Sequence, residues 1–292
     1  LRKNIIMILI LGASGYIGQA FLNHFKENDI SYYAISREGM DYTDYKTMLY
    51  FLNANASGFD TLINCAGYVG KPNVDACEDH KEECIQGNVI LPQMLSALCS
   101  ELMIKFMHIS SGCIYNGYEK EFTEEDPSNF CFNSETKGSF YSGSKAFAEK
   151  LIDKENSYIC RLRIPFDEYD NSRNYLSKLQ NYERLLNMKN SISHRGDFVE
   201  ACMHLIQENV SFGTYNITNT GSVDTEQVCS LMTQHLNLNN SFNFFDSEEE
   251  FYKLGARAPR SNCLLDNSKL LSVGIKIRDV NEALEDSLQK WT

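Results

Sequence analysis

Several kinds of feature are missing from this 292-residue sequence. Its cysteines form no CxxC pair, and no His/Cys group has zinc-ligand spacing, so neither a metal centre nor a thioredoxin-type motif is expected. Positive charge is short: 27 Lys and Arg face 39 Asp and Glu, for a net charge of -12 and a pI near 5.0. That balance argues against nucleic acid as a partner, which calls for a basic face. It leaves room for a small anionic ligand held by backbone N–H groups or a few cations. Long apolar runs are absent too. The opening LRKNIIMILILG mimics a signal peptide, yet its run from Ile5 to Leu11 is too short to span a bilayer and leads into a glycine motif. It reads as a first β-strand, and no membrane partner is expected.

The 10 cysteines are scattered and suit a reducing, cytoplasmic location. Cys65, Cys160 and Cys202 lie in apolar settings that read as core. Strand-like runs at 5–11, 32–36, 61–67, 105–111 and 157–164 alternate with amphipathic stretches at Tyr16–Glu27, Tyr45–Asn53, Glu82–Leu102 and Ser144–Lys154. Such alternation marks right-handed βαβ units. The expected fold is α/β: a Rossmann-type doubly wound parallel sheet with a smaller C-terminal substrate-binding lobe. Residues 1–165 form the dinucleotide-binding domain, with a return of the chain around 190–218, and 166–292 form mainly the substrate lobe. In that second part, helices are expected at Tyr175–Leu186, 196–210, Thr225–His235 and Val280–Lys290, and FNFF at 242–245 reads as a strand. No internal repeat or low-complexity linker separates the two parts.

GASGYIG sets Gly12, Gly15 and Gly18 between the first strand and a helix. Its GxxGxxG spacing differs from GxGxxG, but the demand is the same: a tight turn that lets a pyrophosphate approach a helix N-terminus. Ser36-Arg37 stands where an NAD-binding chain would carry an acid for the ribose. Arg37 pairs with a 2′-phosphate, so NADPH is the expected cofactor; the competing reading makes Arg37 a solvated cation and gives the acidic role to Glu38. YSGSK then places Tyr141 and Lys145 four apart, on one helix face. A phenol with an ordinary pKa of about 10 needs a nearby ammonium to exchange protons near neutrality.

The order GASGYIG, NCAG (64–67), Ser110-Ser111, Tyr141, Lys145 resembles the extended short-chain dehydrogenase/reductases. The resemblance implies that Ser111 bonds the substrate carbonyl, Tyr141 acts as acid and Lys145 holds the nicotinamide ribose, with Asp41 near the adenine and Asn88 bracing the active-site helix. It carries cofactor contacts to Gly12, Ser14, Gly15, Tyr16, Ile17, Gly18, Arg37, Asp41, Ala66, Tyr141, Lys145 and Pro165. More specific are GKPNVDACEDHK (70–81), SSGCIY (110–115), GSFYSGSK (138–145), CRLRIP (160–165) and APRSN (258–262). These resemble the plant and viral UDP-4-keto-6-deoxyglucose 3,5-epimerase/4-reductases, over about residues 5 to 290. The family is similar in turn to bacterial dTDP-4-dehydrorhamnose reductases, which only reduce.

Related 4,6-dehydratases read Thr-Asp-Glu where this chain reads Ser111-Gly112-Cys113, and their Glu removes a sugar proton. The resemblance therefore makes Cys113 a carbon-acid base and Lys178, in RNYLSKLQNYE, its partner on the opposite face. A 4-keto group acidifies the protons on carbons 3 and 5, and inversion requires removal from one face and return from the other. A thiol, with an ordinary pKa of about 8.5, suits that task. Asn73, Asn174 and Arg260 are the implied substrate ligands, Arg260 for the diphosphate; Asn73 and Asp75 are explained almost as well by capping the helix that follows.

The function implied is conversion of a UDP-4-keto-6-deoxy-D-glucose to UDP-L-rhamnose by an NADPH-dependent homodimer that is both epimerase and reductase. Three alternatives stay open. One is a 3-epimerase/4-reductase of a UDP-2-acetamido-4-keto-6-deoxy sugar, and another is a 4-ketoreductase without epimerase activity. The third is a non-catalytic NADPH-sensing regulator, against which the Tyr141/Lys145 pair counts. UDP and dTDP are not distinguished.

Overall fold

The computed structural model describes residues 7–132, 138–236, 238 and 241–292; Ile5 and Ile6 of the opening run lie outside them. The main sheet has strands β1 (Met7–Leu11), β2 (Ser31–Ile35), β3 (Thr61–Asn64), β4 (Lys105–Ser111), β6 (Ser157–Leu162) and β9 (Gly213–Asn216). They pair in parallel in the order β2-β1-β3-β4-β6-β9. Two small pairs flank it: β5 (Gly117–Phe122) with β10 (Cys263–Leu265), and β7 (Pro165–Phe166) with β8 (Ser193–His194). Strand order reverses between β1 and β3, the switch point at which open α/β sheets bind ligands beyond the strands' carboxyl ends.

Helices α1 (Tyr16–Glu27), α2 (Tyr45–Asn55), α3 (Lys81–Ile85), α4 (Leu91–Glu101), α5 (Phe140–Leu151) and α6 (Tyr175–Asn181) are followed by α7 (Arg195–Gln207), α8 (Thr225–Leu236), α9 (Glu248–Leu254), α10 (Ser268–Ser272) and α11 (Val280–Gln289). Because side chains alternate across a strand, β1 sends Ile8 and Ile10 to one face and Leu9 and Leu11 to the other. The first pair joins a core with Phe21 and Phe25 of α1 and Phe198 and Val199 of α7. The second packs against Leu91, Leu95 and Leu98 of α4. A third core gathers Phe166, Leu176, Val228, Met232 and Leu284 from the later part of the chain.

Three differences from the sequence reading have local causes. Helix α5 begins at Phe140, not Ser144, because the Ser139 hydroxyl caps it by accepting from Ser142 N at 3.1 Å. The expected helix over 82–102 runs without a break from Lys81 to Glu101 but widens into a π turn at Gln86–Ile90, where the Asn88 side chain bonds both main-chain groups of Tyr68 at 2.8 Å. FNFF is not a strand: Phe244 makes only an isolated bridge with Leu185, and Phe242 and Phe244 pack on the third core.

Candidate active site

The loop after β1 is built for close approach. Gly12 has φ +73°, and a Cβ there would lie 2.5 Å from Ala66 N at the end of β3. A Cβ on Gly18 would strike the Gly12 oxygen and lie 2.7 Å from Ala13 Cα. Gly15 caps α1 without a side-chain bond, and no acid occupies the helix's first turn. The positive end of a 12-residue helix is thus left open beside exposed Ser14, which fits a pyrophosphate.

Tyr16 is more committed than a loop contact. Its hydroxyl donates to Asp167 Oδ1 at 2.7 Å, and the Arg195 guanidinium lies 4.2 Å over its ring while pairing with Asp167. Burial, reinforced by Asp167, drives the phenol far above its ordinary value. Ile17 is half-buried against the first core. Arg37 sits exposed in the turn after β2, its guanidinium 5.9 Å over the Tyr42 ring. Asp41, also exposed, accepts from Thr43 N at 3.0 Å and from the Thr43 hydroxyl. Ala66 donates its N–H to Asn64 Oδ1 at 3.0 Å, and Pro165 pairs with Ser193 across β7 and β8.

The end of β4 and helix α5 bring the chemical groups together. Ser111 Oγ accepts from Cys113 N at 3.1 Å, closing the Gly112–Ile114 turn that presents the thiol. Tyr141 interacts with the Ser111 hydroxyl; burial raises its phenol's affinity for the proton, Cys113 adds to this, and Ser111 opposes it. Lys145 donates from Nζ to the Ile109 oxygen at 3.0 Å and lies 3.3 Å from His108 Nε2. Burial lowers its ammonium to about 8, and the nearby Glu149, Cys84 and Cys113 work the other way. Helix α5 is anchored by Phe140 N donating to Glu78 Oε1 at 2.7 Å and by Asn88 Nδ2 donating to Ser144 Oγ at 3.1 Å.

Lys178 arrives from the other part of the chain, on α6. Its ammonium is lowered by burial and by Arg173, and Cys113 pulls it back up, so thiol and amine lie within electrostatic reach. Tyr141, Lys145, Ser111, Cys113 and Lys178 therefore share one neighbourhood.

The three expected substrate ligands are each occupied. Asn73 Oδ1 accepts from Asp75 N at 2.8 Å and caps the short helix Val74–Glu78. Asn174 is fully buried: its Oδ1 caps α6 by accepting from Leu176 N, and its Nδ2 donates to Asp167 Oδ1 and to the Asp167 and Tyr169 oxygens. Arg260 pairs with Asp75 at 2.8 Å, while Asp75 Oδ1 also accepts from Ala258 N at 2.8 Å. Asn174 therefore caps the start of the helix that carries Lys178, and Arg260 is the one of the three that keeps a partly exposed charged group.

Two residues escaped the sequence reading. Arg163, just past β6, is buried and donates to Cys113 Sγ at 3.6 Å; a visible signal was two arginines, Arg161 and Arg163, in an otherwise apolar strand. His108 is buried between Asn64 and Lys145; nothing in KFMHISS distinguishes it from a core position.

Among the described residues, no helix is long and apolar enough to cross a membrane. Comparison with known proteins adds a lineage to this geometry. A trifunctional UDP-glucose 4,6-dehydratase/UDP-4-keto-6-deoxy-D-glucose 3,5-epimerase/UDP-4-keto-L-rhamnose-reductase of Arabidopsis thaliana is 32% identical over 233 residues, 76% of this chain and 33% of that protein. The chain thus spans about a third of that relative's length. A bifunctional dTDP-4-dehydrorhamnose 3,5-epimerase/dTDP-4-dehydrorhamnose reductase of the same plant is 32% identical over 76% of this chain and 74% of its own. The fold is shared with the crystal structure of a UDP-rhamnose synthase from Acanthamoeba polyphaga mimivirus, with TM-score 0.87 and 24% identity over 98% of this chain and 99% of that one. The family described as RmlD substrate binding domain matches residues 6–292, and the chain belongs to that family.

Proposed function

We propose that this protein converts UDP-4-keto-6-deoxy-D-glucose to UDP-L-rhamnose, inverting carbons 3 and 5 and then reducing carbon 4. The observation that carries the reading is that Cys113 lies within electrostatic reach of Tyr141, Lys145 and Lys178. A plain reductase needs only Tyr141 and Lys145. In this reading residues 1–165, with the returning segment 190–218, hold the cofactor, and 166–292 mainly hold the sugar nucleotide. NADPH supplies a hydride to carbon 4 when bound. The open α1 terminus and the Gly12/Gly18 crowding support a pyrophosphate cradle. The exposed Arg37, whose charge reaches Asp41 electrostatically but forms no ion pair among the described residues, supports a 2′-phosphate.

The Cys113 thiolate takes the proton from carbon 3 or 5, becoming a thiol, and the carbonyl stores the charge as an enolate. Lys178 returns a proton to the opposite face; its lowered proton affinity makes it a better acid. Ser111 orients the carbonyl, and Tyr141 gives its hydroxyl proton to the oxygen on carbon 4 as reduction occurs. Lys145, held on Ile109, places a positive charge one helical turn from Tyr141, where it favours the phenolate left by proton transfer. Arg260, held near Asp75, supports a diphosphate contact. A homodimer belongs to the same reading, supported by the exposed Phe147 and Leu151 on α5.

The test is incubation with UDP-4-keto-6-deoxyglucose and NADPH in deuterated water, with NMR of the product. UDP-L-rhamnose carrying deuterium at carbons 3 and 5, lost in Cys113→Ala, is the expected result. NADPH oxidation without deuterium would leave a 4-ketoreductase and return Cys113 to a structural role.

A further inference from the structure

Arg163 carries a buried positive charge with no negative side chain to match it among the described residues. Its side chain is 1% exposed, and it takes part in no ion pair among the described residues. Arg161, two residues earlier, is instead held by Glu149 at 2.7 Å. The Arg163 guanidinium meets neutral groups: Nη1 donates to Ser261 Oγ at 2.9 Å, and Nη2 donates to the Ser261 oxygen at 2.9 Å and to Asn190 Oδ1. Its Nε has no partner among the described residues. The remaining acceptor is Cys113 Sγ, 3.6 Å from Nη1.

An arginine does not lose its proton in a protein, so this charge persists. Burying it among neutral dipoles is costly unless an anion is near. Of the groups its guanidinium hydrogen-bonds, only the Cys113 thiol can become one. Burial pushes the nearby Cys263 thiol and Tyr118 phenol up and keeps both neutral, and Tyr141 is likewise held protonated by burial. Lys145 and Lys178 are the other cations that face the sulfur. The side chain also lies under the turn that presents the sulfur: a Cβ on Gly112 would meet Arg163 Cδ at 3.4 Å.

We infer that Arg163 is a positioning residue that holds Cys113 as its thiolate from beneath the Gly112–Ile114 turn. This rests on the reading of Cys113 as the epimerisation base. The guanidinium keeps its protons throughout. The thiolate takes a proton from carbon and its charge passes to the enolate. Lys178 protonates the opposite face, and the Cys113 thiol then gives its proton to solvent while Lys178 regains one from solvent, which restores the ion pair with Arg163.

The test follows alkylation of Cys113 by iodoacetamide in the full chain, across pH, with the modified peptide identified by mass spectrometry. Arg163→Met is expected to slow alkylation at neutral pH by about tenfold or more, with recovery at alkaline pH, whereas Arg163→Lys keeps most of the rate. Asn190→Asp sets a carboxylate beside Nη2 in nearly the same volume and is expected to slow alkylation in the same direction; it serves if Arg163→Met does not fold. Unchanged pH profiles in Arg163→Met and Asn190→Asp overturn the inference, whatever the deuterium experiment shows. Conversely, a Cys113→Ala protein that still exchanges deuterium removes the epimerase reading while leaving the measured Arg163 effect in place.

Discussion

Lys145 donates from Nζ to the main-chain oxygen of Ile109 at 3.0 Å, tying helix α5 to the strand end that carries Ser111. This contact fixes where the ammonium sits relative to Tyr141, one turn earlier on the same helix. It also keeps that ammonium buried, which lowers it from 10.5 to about 8.

The lowered Lys145 gives a stability signature with a definite sign. Between about pH 8 and 10.5 the unfolded chain binds this proton and the folded chain does not, so the contribution of Lys145 to stability rises with pH in that window. The stability of the parent relative to Lys145→Met is expected to improve as pH is raised through this range, as read by urea unfolding at several pH values. A difference that stays flat would mean the ammonium is not perturbed.

Tyr141→Phe separates the two reactions. Removing the hydroxyl deletes the proton donor for carbon 4 but leaves Cys113 and Lys178 in place. NADPH oxidation should drop by about a hundredfold or more, while deuterium still enters the keto sugar. Loss of both activities together would argue that Tyr141 also serves the inversions.

Gly18→Ala tests the dinucleotide cradle. The added methyl meets the Gly12 oxygen and Ala13 Cα, both main chain, so the loop must shift. A destabilisation of about 1–3 kcal/mol is expected, with NADPH affinity falling in a fluorescence titration. Unaltered affinity would place the pyrophosphate elsewhere.

Arg260→Ala probes the sugar-nucleotide end. Losing a charge-assisted contact to a diphosphate should raise KM for the UDP-sugar by about tenfold or more, with NADPH affinity unchanged. If KM holds and only thermal stability falls, Arg260 serves only to pair with Asp75 across the chain.

Much of the fold could be read along the chain because its signals are local. The alternation of apolar runs and amphipathic helices gives the parallel sheet, and the observed helices Tyr16–Glu27 and Val280–Gln289 start where that pattern starts. The glycine loop was legible for the same reason, since Gly12 and Gly18 are demanded by crowding between neighbours in sequence and the adjacent strand. FNFF misled because aromatic alternation indicates burial on one side, and here the packing of Phe242 and Phe244 on the third core uses that burial without a ladder.

The sequence by itself determined the sheet, the glycine loop and the four-residue spacing of Tyr141 and Lys145, each a product of short-range periodicity and backbone sterics. Only the tertiary structure decided that Lys178 lies within electrostatic reach of Cys113, that the Asn174 amide is used for capping, and that Arg163 lies against the thiol with no carboxylate paired to it among the described residues. The reason is physical. Burial and charge pairing depend on which distant segments the fold brings into contact, and Arg163 meets Asn190 and Ser261 across 27 and 98 residues of chain.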